Sequence, residues 1–92
     1  MYEVALTSKF RRDYKRAFKR GYDMHLLEIV VECLAAGLPL PAKYQDHDLT
    51  GNWPGYRECH ITSDWLMIYK IENDILILTL TRTGTHSDLF KM

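Results

Sequence analysis

Two consecutive runs near the end of the chain, "WLMIYKI" at 65–71 and "ILILTLT" at 75–81, are apolar at almost every position or carry only threonine between apolar residues. A strand that meets water on one face alternates apolar and polar residues, so these two must be covered on both faces. A third run, "YRECHI" at 56–61, precedes them, and the separators "TSD" and "END" are turn-type residues at hairpin lengths. An antiparallel meander with the last two strands central is the simplest arrangement. Helices must then close one sheet face and some other element the second.

The first third of the chain supplies those helices. "YEVALT" alternates well enough for a short strand, and Phe10, Tyr14, Ala17 and Phe18 follow at i, i+4, i+7 and i+8, an apolar stripe on an otherwise basic helix. Ser8 is a candidate N-cap for it and Gly21 a candidate left-handed stop. In a second helix Asp23 is the cap, Leu26, Leu27, Val30, Val31 and Leu34 form the buried face, and Gly37 with Pro39 ends it. So short a link between helices predicts an antiparallel helical hairpin. "LPLPAKYQDHDLTGNWPG" then reads as an ordered loop, since its prolines and glycines suit neither a helix nor a central strand. The predicted order is βααβββ, an α+β fold in which an N-terminal helical hairpin packs on one face of an antiparallel sheet. All 92 residues fit one domain, because a chain of this size buries roughly 60–65% of its surface and supports a single core.

Composition narrows the functional classes. No apolar run approaches the ~20 residues of a membrane span, and the N-terminus carries no signal-peptide pattern, so a cytoplasmic protein with no membrane partner is expected. Cys33 and Cys59 are too few for a disulfide framework and read as buried free thiols. Net charge is zero, yet "KFRRDYKRAFKR" sets seven basic residues against one acid. Arg11, Arg12, Lys15, Arg16, Lys19 and Arg20 form either a solvated face or a surface for a polyanion or an acidic partner.

Chemistry-bearing residues collect near element ends in the second half: His47 in the Pro/Gly loop, His60 at a strand end, Asp64 in the following turn, and Arg82 and His86 around the end of the last strand. In a meander the end of the first strand, the start of the second and the end of the third share one edge, which brings His60, Asp64, Arg82 and His86 together. His47 joins them only if the loop folds back over the sheet. Several imidazoles, a carboxylate and an arginine suit RNA cleavage without metal. Histidine serves as both general base and general acid near neutral pH, and Arg82 offers a permanent cation with a phosphate-shaped fork. Phe90 and Trp65 are candidate stacking surfaces for an unpaired base, although Trp65, with Met67 and Tyr69, also suits the core. His47, His60, Asp64 and His86 are equally the residue types of a zinc site, but no tightly spaced ligand pair is present, and no metal or cofactor is expected. His25, near the start of the second helix, carries no assigned role.

"YQDHDLTGNWPGYRECHITSDWLMIYKI" followed by "LTRTGTHSDLF" resembles the signature of the YafQ branch of the RelE/ParE superfamily, the toxins of bacterial type II toxin–antitoxin pairs. The resemblance spans essentially the whole chain. It implies a RelE-like fold and an mRNA interferase that cuts translated message on the ribosome and is held inactive by a cognate antitoxin. His47, His60, Asp64 and His86 fall on the branch's catalytic positions, and Arg82 and Phe90 on its phosphate- and base-contacting positions. Ser63 stands where relatives often carry proline, which loosens the turn that places Asp64. A non-enzymatic toxin acting on another target such as DNA gyrase is the alternative within the superfamily, since fold alone does not fix function.

Overall fold

The computed structural model describes residues 1–90. In chain order the elements are β1 (Glu3–Leu6), α1 (Ser8–Lys19), α2 (Met24–Ala35), a 3-10 turn (Ala42–Tyr44), β2 (His47–Asp48), β3 (Arg57–Thr62), β4 (Trp65–Glu72), β5 (Ile77–Gly84) and α3 (His86–Phe90). The expected βααβββ order is present, with β2 and α3 as additions. Helix α1 is capped by Thr7 rather than Ser8: the Thr7 hydroxyl oxygen accepts from the Phe10 N–H at 3.0 Å. The same hydroxyl donates to the Thr81 carbonyl at 2.7 Å, so the cap also ties the helix start to β5. Asp23 caps α2 as expected, accepting from the His25 N–H at 3.1 Å.

The strands lie in the order β1-β5-β4-β3-β2. The sheet is mixed rather than wholly antiparallel, because β1 pairs in parallel with β5 while the other neighbours are antiparallel. The two helices carry the chain to the far side of the sheet, where β3 runs parallel to β1, and the β3–β4–β5 meander then brings β5 alongside β1 in the same direction. The last strand also begins later than its apolar run. Ile75 and Leu76 lie in the turn, more than half exposed, and Leu76 adopts a left-handed φ of 55°.

Both faces of the central strands are covered, as their composition demands. On one side Phe10, Ala17, Leu27, Val30 and Leu34 of the helices pack on Cys59, Ile61, Trp65, Met67, Tyr69, Leu78 and Leu80 of the sheet. On the other, Leu66 and Ile68 are sealed by Leu89 of α3 and by Leu49, Trp53 and Tyr56 of the Pro/Gly loop. Burying each of these large side chains contributes about 1.5–3 kcal/mol. Cys59 is buried and its thiol is pushed up to about 12 by that burial, while Cys33 is partly covered and also free.

Of the two buried carboxylates among the described residues, Asp13 and Glu58, the first joins a helix to the sheet. Asp13 of α1 is 5% exposed, and its carboxylate accepts from Arg82 Nε at 2.6 Å, Arg82 Nη2 at 3.2 Å, the Thr83 N–H at 3.1 Å and Arg16 Nη2 at 2.9 Å. It fastens α1 to β5 just past a shift in register, where Tyr69 pairs with Leu80 but Ile68 pairs with Arg82. Removing a buried carboxylate leaves its cation and N–H donors unpaired, so Asp13→Ala is expected to cost about 3 kcal/mol. Thermal unfolding followed by circular dichroism should show Tm falling by ~10–20 °C; a drop of only a few degrees would contradict this anchoring role.

A three-histidine row as the candidate active site

The Pro/Gly loop does fold back over the sheet, and β2 is the means. His47 pairs with Glu58 and Asp48 with Arg57 across an antiparallel bridge to β3. The Arg57 guanidinium holds this return in place, reaching Asp46 at 3.3 and 3.1 Å and Asp48 at 2.5 Å. The Tyr69 hydroxyl donates to the same Asp46 carboxylate. Asp46 first, then Tyr69, raise the Arg57 pKa, and burial pushes up that of the Tyr69 hydroxyl. Just before His47, Gln45 takes a left-handed φ of 49°, and its carbonyl lies 2.6 Å from His47 Nδ1. A strained non-glycine residue at this point aims the loop carbonyl at the imidazole.

Three imidazoles and an aromatic ring then stand in a row. Ring centroids are 6.3 Å apart from His47 to His60, 6.3 Å from His60 to His86, and 5.7 Å from His86 to Phe90. Each comes from a different element: β2, β3 and the start of α3, with Phe90 at the end of that helix. Three of the four expected catalytic residues are therefore neighbours.

Asp64 is not. It sits exposed in the β3–β4 turn and lines a depression with Tyr22, Asp23, Leu26 and Trp65, on the side of the α1–α2 link. Among the described residues no hydrogen bond or ion pair joins it to a histidine. The cause is an irregularity between His60 and Thr62, which changes the register before the turn. The carboxylate that meets the histidines is Glu58, whose Oε1 lies 3.3 Å from His47 Nε2 and 3.9 Å from His60 Nε2. The sequence analysis missed it, although the signal was present: residues two apart on a strand share a face, so "ECH" sets Glu58 beside His60.

Two other expectations need correction. Trp65 is buried among the helix-side core residues, edge-on to Tyr22, and its indole N–H donates to the Thr83 hydroxyl at 2.9 Å. It cannot stack on a base. The aromatic next to Phe90 is instead Trp53 of the loop, at 6.4 Å in an edge-on arrangement. Arg82 does not present a free fork, because Nε and Nη2 are both engaged by Asp13, which also raises its pKa. The basic helix is likewise partly compensated: Arg16 pairs with Asp13 and Arg20 with Asp88, while Arg11, Arg12, Lys15 and Lys19 are exposed. Lys9, Arg12 and Arg16, with the paired carboxylates Asp13 and Asp88, line an open cleft that runs along Arg82 to Phe90.

The Arg20–Asp88 pair holds α3, and so His86. Arg20 Nη1 and Nη2 reach Asp88 at 2.7 and 3.2 Å. Asp88 and Thr85 also cap the helix reciprocally: the Thr85 N–H donates to Asp88 Oδ2 at 3.0 Å, and the Asp88 N–H donates to Thr85 Oγ at 3.2 Å. Arg20 first, then the Thr85 donors, hold the Asp88 carboxyl well below the usual carboxylate range. Gly84 is required by space, since a Cβ there would stand 2.9 Å from Asp88 Oδ2.

Gly84→Ala should therefore push Asp88 off Arg20 and displace His86, visible as shifted His86 and Phe90 signals in NMR spectra while the β3–β4 resonances hold. Unmoved α3 signals would contradict the packing. The pH dependence has a definite sign. A carboxyl whose folded pKa is depressed contributes stability above its unfolded value of about 3.9 and loses it as pH falls through the folded one. Docking of α3 should thus weaken below about pH 4, and Asp88→Asn should remove that acid-sensitive step.

The geometry has clear counterparts among known proteins. The sequence model of a family described as the bacterial toxin of the type II toxin–antitoxin system, YafQ, matches residues 2–91. The mRNA interferase toxin YafQ of Escherichia coli K12 is 42% identical over 89 residues, covering 96% of this chain and 95% of that protein. The E. coli DinJ–YafQ complex contains a chain that superposes with a TM-score of 0.90 at 41% identity, covering 98% of this chain and 99% of that one. A metal-bound toxin from Helicobacter pylori superposes with a TM-score of 0.92 at 42% identity, covering 98% and 100%. The chain belongs to the YafQ family of bacterial type II toxin–antitoxin toxins.

Proposed function

We propose that this protein is a ribosome-dependent endoribonuclease, an mRNA interferase that cuts translated message and is silenced by a cognate antitoxin. The observation that carries the reading is the row of three imidazoles ending in Phe90. In the proposed reaction one imidazole takes the proton of a ribose 2′-OH. The 2′-oxygen forms a bond to the adjacent phosphorus as the bond from phosphorus to the 5′-oxygen breaks. A second imidazole gives that leaving oxygen its proton. The products are a 2′,3′-cyclic phosphate and a free 5′-OH. Each proton-transfer role is typically worth roughly 10²–10⁴ in rate.

Phe90, with Trp53 edge-on beside it, offers a stacking surface for an unpaired base of the message. Asp64, exposed at the turn, is proposed as a contact to message or ribosome rather than as a partner of His60. Arg82 contributes through its remaining nitrogen, while the cleft lined by Lys9, Arg12 and Arg16 favours a phosphate backbone. Ribosome dependence follows from the shallow, open site. Holding an RNA strand in line for attack is worth roughly 7–11 kcal/mol, and the decoding centre supplies that positioning. Among the described residues no helix is long and apolar enough to cross a membrane, and the site of action is the cytoplasm. The antitoxin reading is supported by the relative solved in complex with DinJ.

The relative solved with metal makes a metal the specific competitor, because imidazoles also ligate transition ions. Among the described residues no three ligand-type side chains gather where one ion could be held. The cleavage is proposed to be metal-independent, with no cofactor. A gyrase-directed activity would leave the imidazole row without a task.

Cleavage of ribosome-bound message should survive EDTA in excess magnesium, and its products should label at the 5′-end with kinase without prior phosphatase treatment. His60→Ala and His86→Ala should each reduce the rate at least ~10²-fold while far-ultraviolet circular dichroism stays near wild type. Full toxicity of His86→Ala, or activity restored only by zinc or copper, would overturn the reading.

A further inference from the structure

Glu58 is an unusual carboxylate for its position. It is 4% exposed, yet among the described residues it has no lysine or arginine partner, and its Oε2 is buried with no hydrogen-bond partner there. The neighbouring Arg57 is fully occupied by Asp46 and Asp48. A buried carboxylate without a cation is costly, and structures keep one only where something compensates for it. What faces it here is a pair of imidazoles, through His47 Nε2 at 3.3 Å and His60 Nε2 at 3.9 Å.

The two histidines are not equivalent. At His47, the Gln45 carbonyl can only accept, so Nδ1 must carry a hydrogen, and the other nitrogen is turned to Glu58. Its Nε2 stands 3.3 Å from Glu58 Oε1, a contact that becomes an ion pair when His47 carries a second proton. His60 meets Glu58 only at longer range, and its Nδ1 makes no hydrogen bond among the described residues. It lines an open depression with Lys43, Tyr44, Gln45, Thr62 and Ser63. Of the two, His60 is the imidazole with a nitrogen available to substrate.

We propose that Glu58 is the positioning residue of this site: its buried carboxylate holds His47 in place and supplies the negative charge against which His60 takes up the 2′-OH proton. This rests on the endoribonuclease reading above and deepens it. While the 2′-oxygen attacks, His60 becomes an imidazolium, and a fixed carboxylate beside it stabilises that charge as the aspartate does in a Ser-His-Asp triad. Among the described residues, the titratable groups around His60 are Glu58 on its own strand, His47 on β2, His86 on α3, and Lys43 and Tyr44 of the 3-10 turn. Of these described groups, Glu58 is the carboxylate.

The test is single-turnover cleavage of message on programmed ribosomes, comparing wild type with Glu58→Gln and Glu58→Asp. Glu58→Gln keeps the size and removes the charge. The rate at saturating toxin should fall by about 10²-fold, the lower end of what a positioned proton-transfer group contributes, while the toxin concentration giving half that rate stays unchanged. Loss of the carboxylate makes the His60 imidazolium harder to form, so the acidic limb of the pH–rate profile should move to lower pH. Glu58→Asp should recover part of the rate. In ¹⁵N NMR spectra of free toxin, the Glu58→Gln change should shift the His47 and His60 ring signals and leave those of His25 in place. An unchanged saturating rate and pH limb, or unmoved His47 and His60 signals, would overturn the proposal while leaving the endoribonuclease reading intact. Absence of cleavage by the wild type would instead remove the reading itself.

Discussion

The structure depends on one buried carboxylate. Asp13 lies on α1, yet its acceptors are spent on the end of β5, on the guanidinium of Arg82 and the backbone N–H of Thr83. Because breaking a buried pair costs far more than making one gains, this contact sets where α1 sits rather than merely adding stability. From that fixed point α1 carries Arg20 to Asp88, and Asp88 fixes the start of α3 where His86 begins. Helix position and imidazole position are therefore one problem, solved by two ion pairs in series along α1.

The opposite side of the site has an independent anchor. Asp46 receives Arg57 and Tyr69, which pins the loop ahead of β2, and the Gln45 carbonyl then meets His47. Between these two anchors stands β3, whose own hydrogen bonding to β4 carries Glu58 and His60. The imidazole row thus draws on three elements: β2 is tied to β3 by strand pairing and by Arg57, and α3 is tied to α1 by Arg20 and Asp88.

Much of this was legible in the sequence because the strongest signals were local. Apolar runs on both faces announced buried central strands, and the helices followed from period and end signals. His60 and His86 could be placed near one edge from strand ends alone. What escaped was non-local or depended on a register detail. Nothing in "YEVAL" distinguishes a parallel edge strand from an antiparallel one, because direction is fixed by the crossover and its partner. Asp64 was set beside His60 on the assumption of regular pairing, and the irregularity at the end of β3 undid it. Trp65 was open to two readings, a stacking surface or, with Met67 and Tyr69, a core residue, and its alternation with those two turns it to the helices. Arg82 was read as a free cation, since a partner sixty-nine residues earlier leaves no mark in the sequence.

The measurement closest to the central claim concerns the substrate rather than the protein. If the histidines only move protons, the nucleophile is the ribose 2′-OH itself. Once the cleaved bond is mapped on a ribosome-bound message, a second message would carry a single 2′-deoxynucleotide immediately 5′ to that bond. The account predicts that cleavage at that bond disappears while the toxin still binds the complex with unchanged affinity. Cleavage at the same bond and the same rate would contradict it, because an attacking water would then be doing the chemistry.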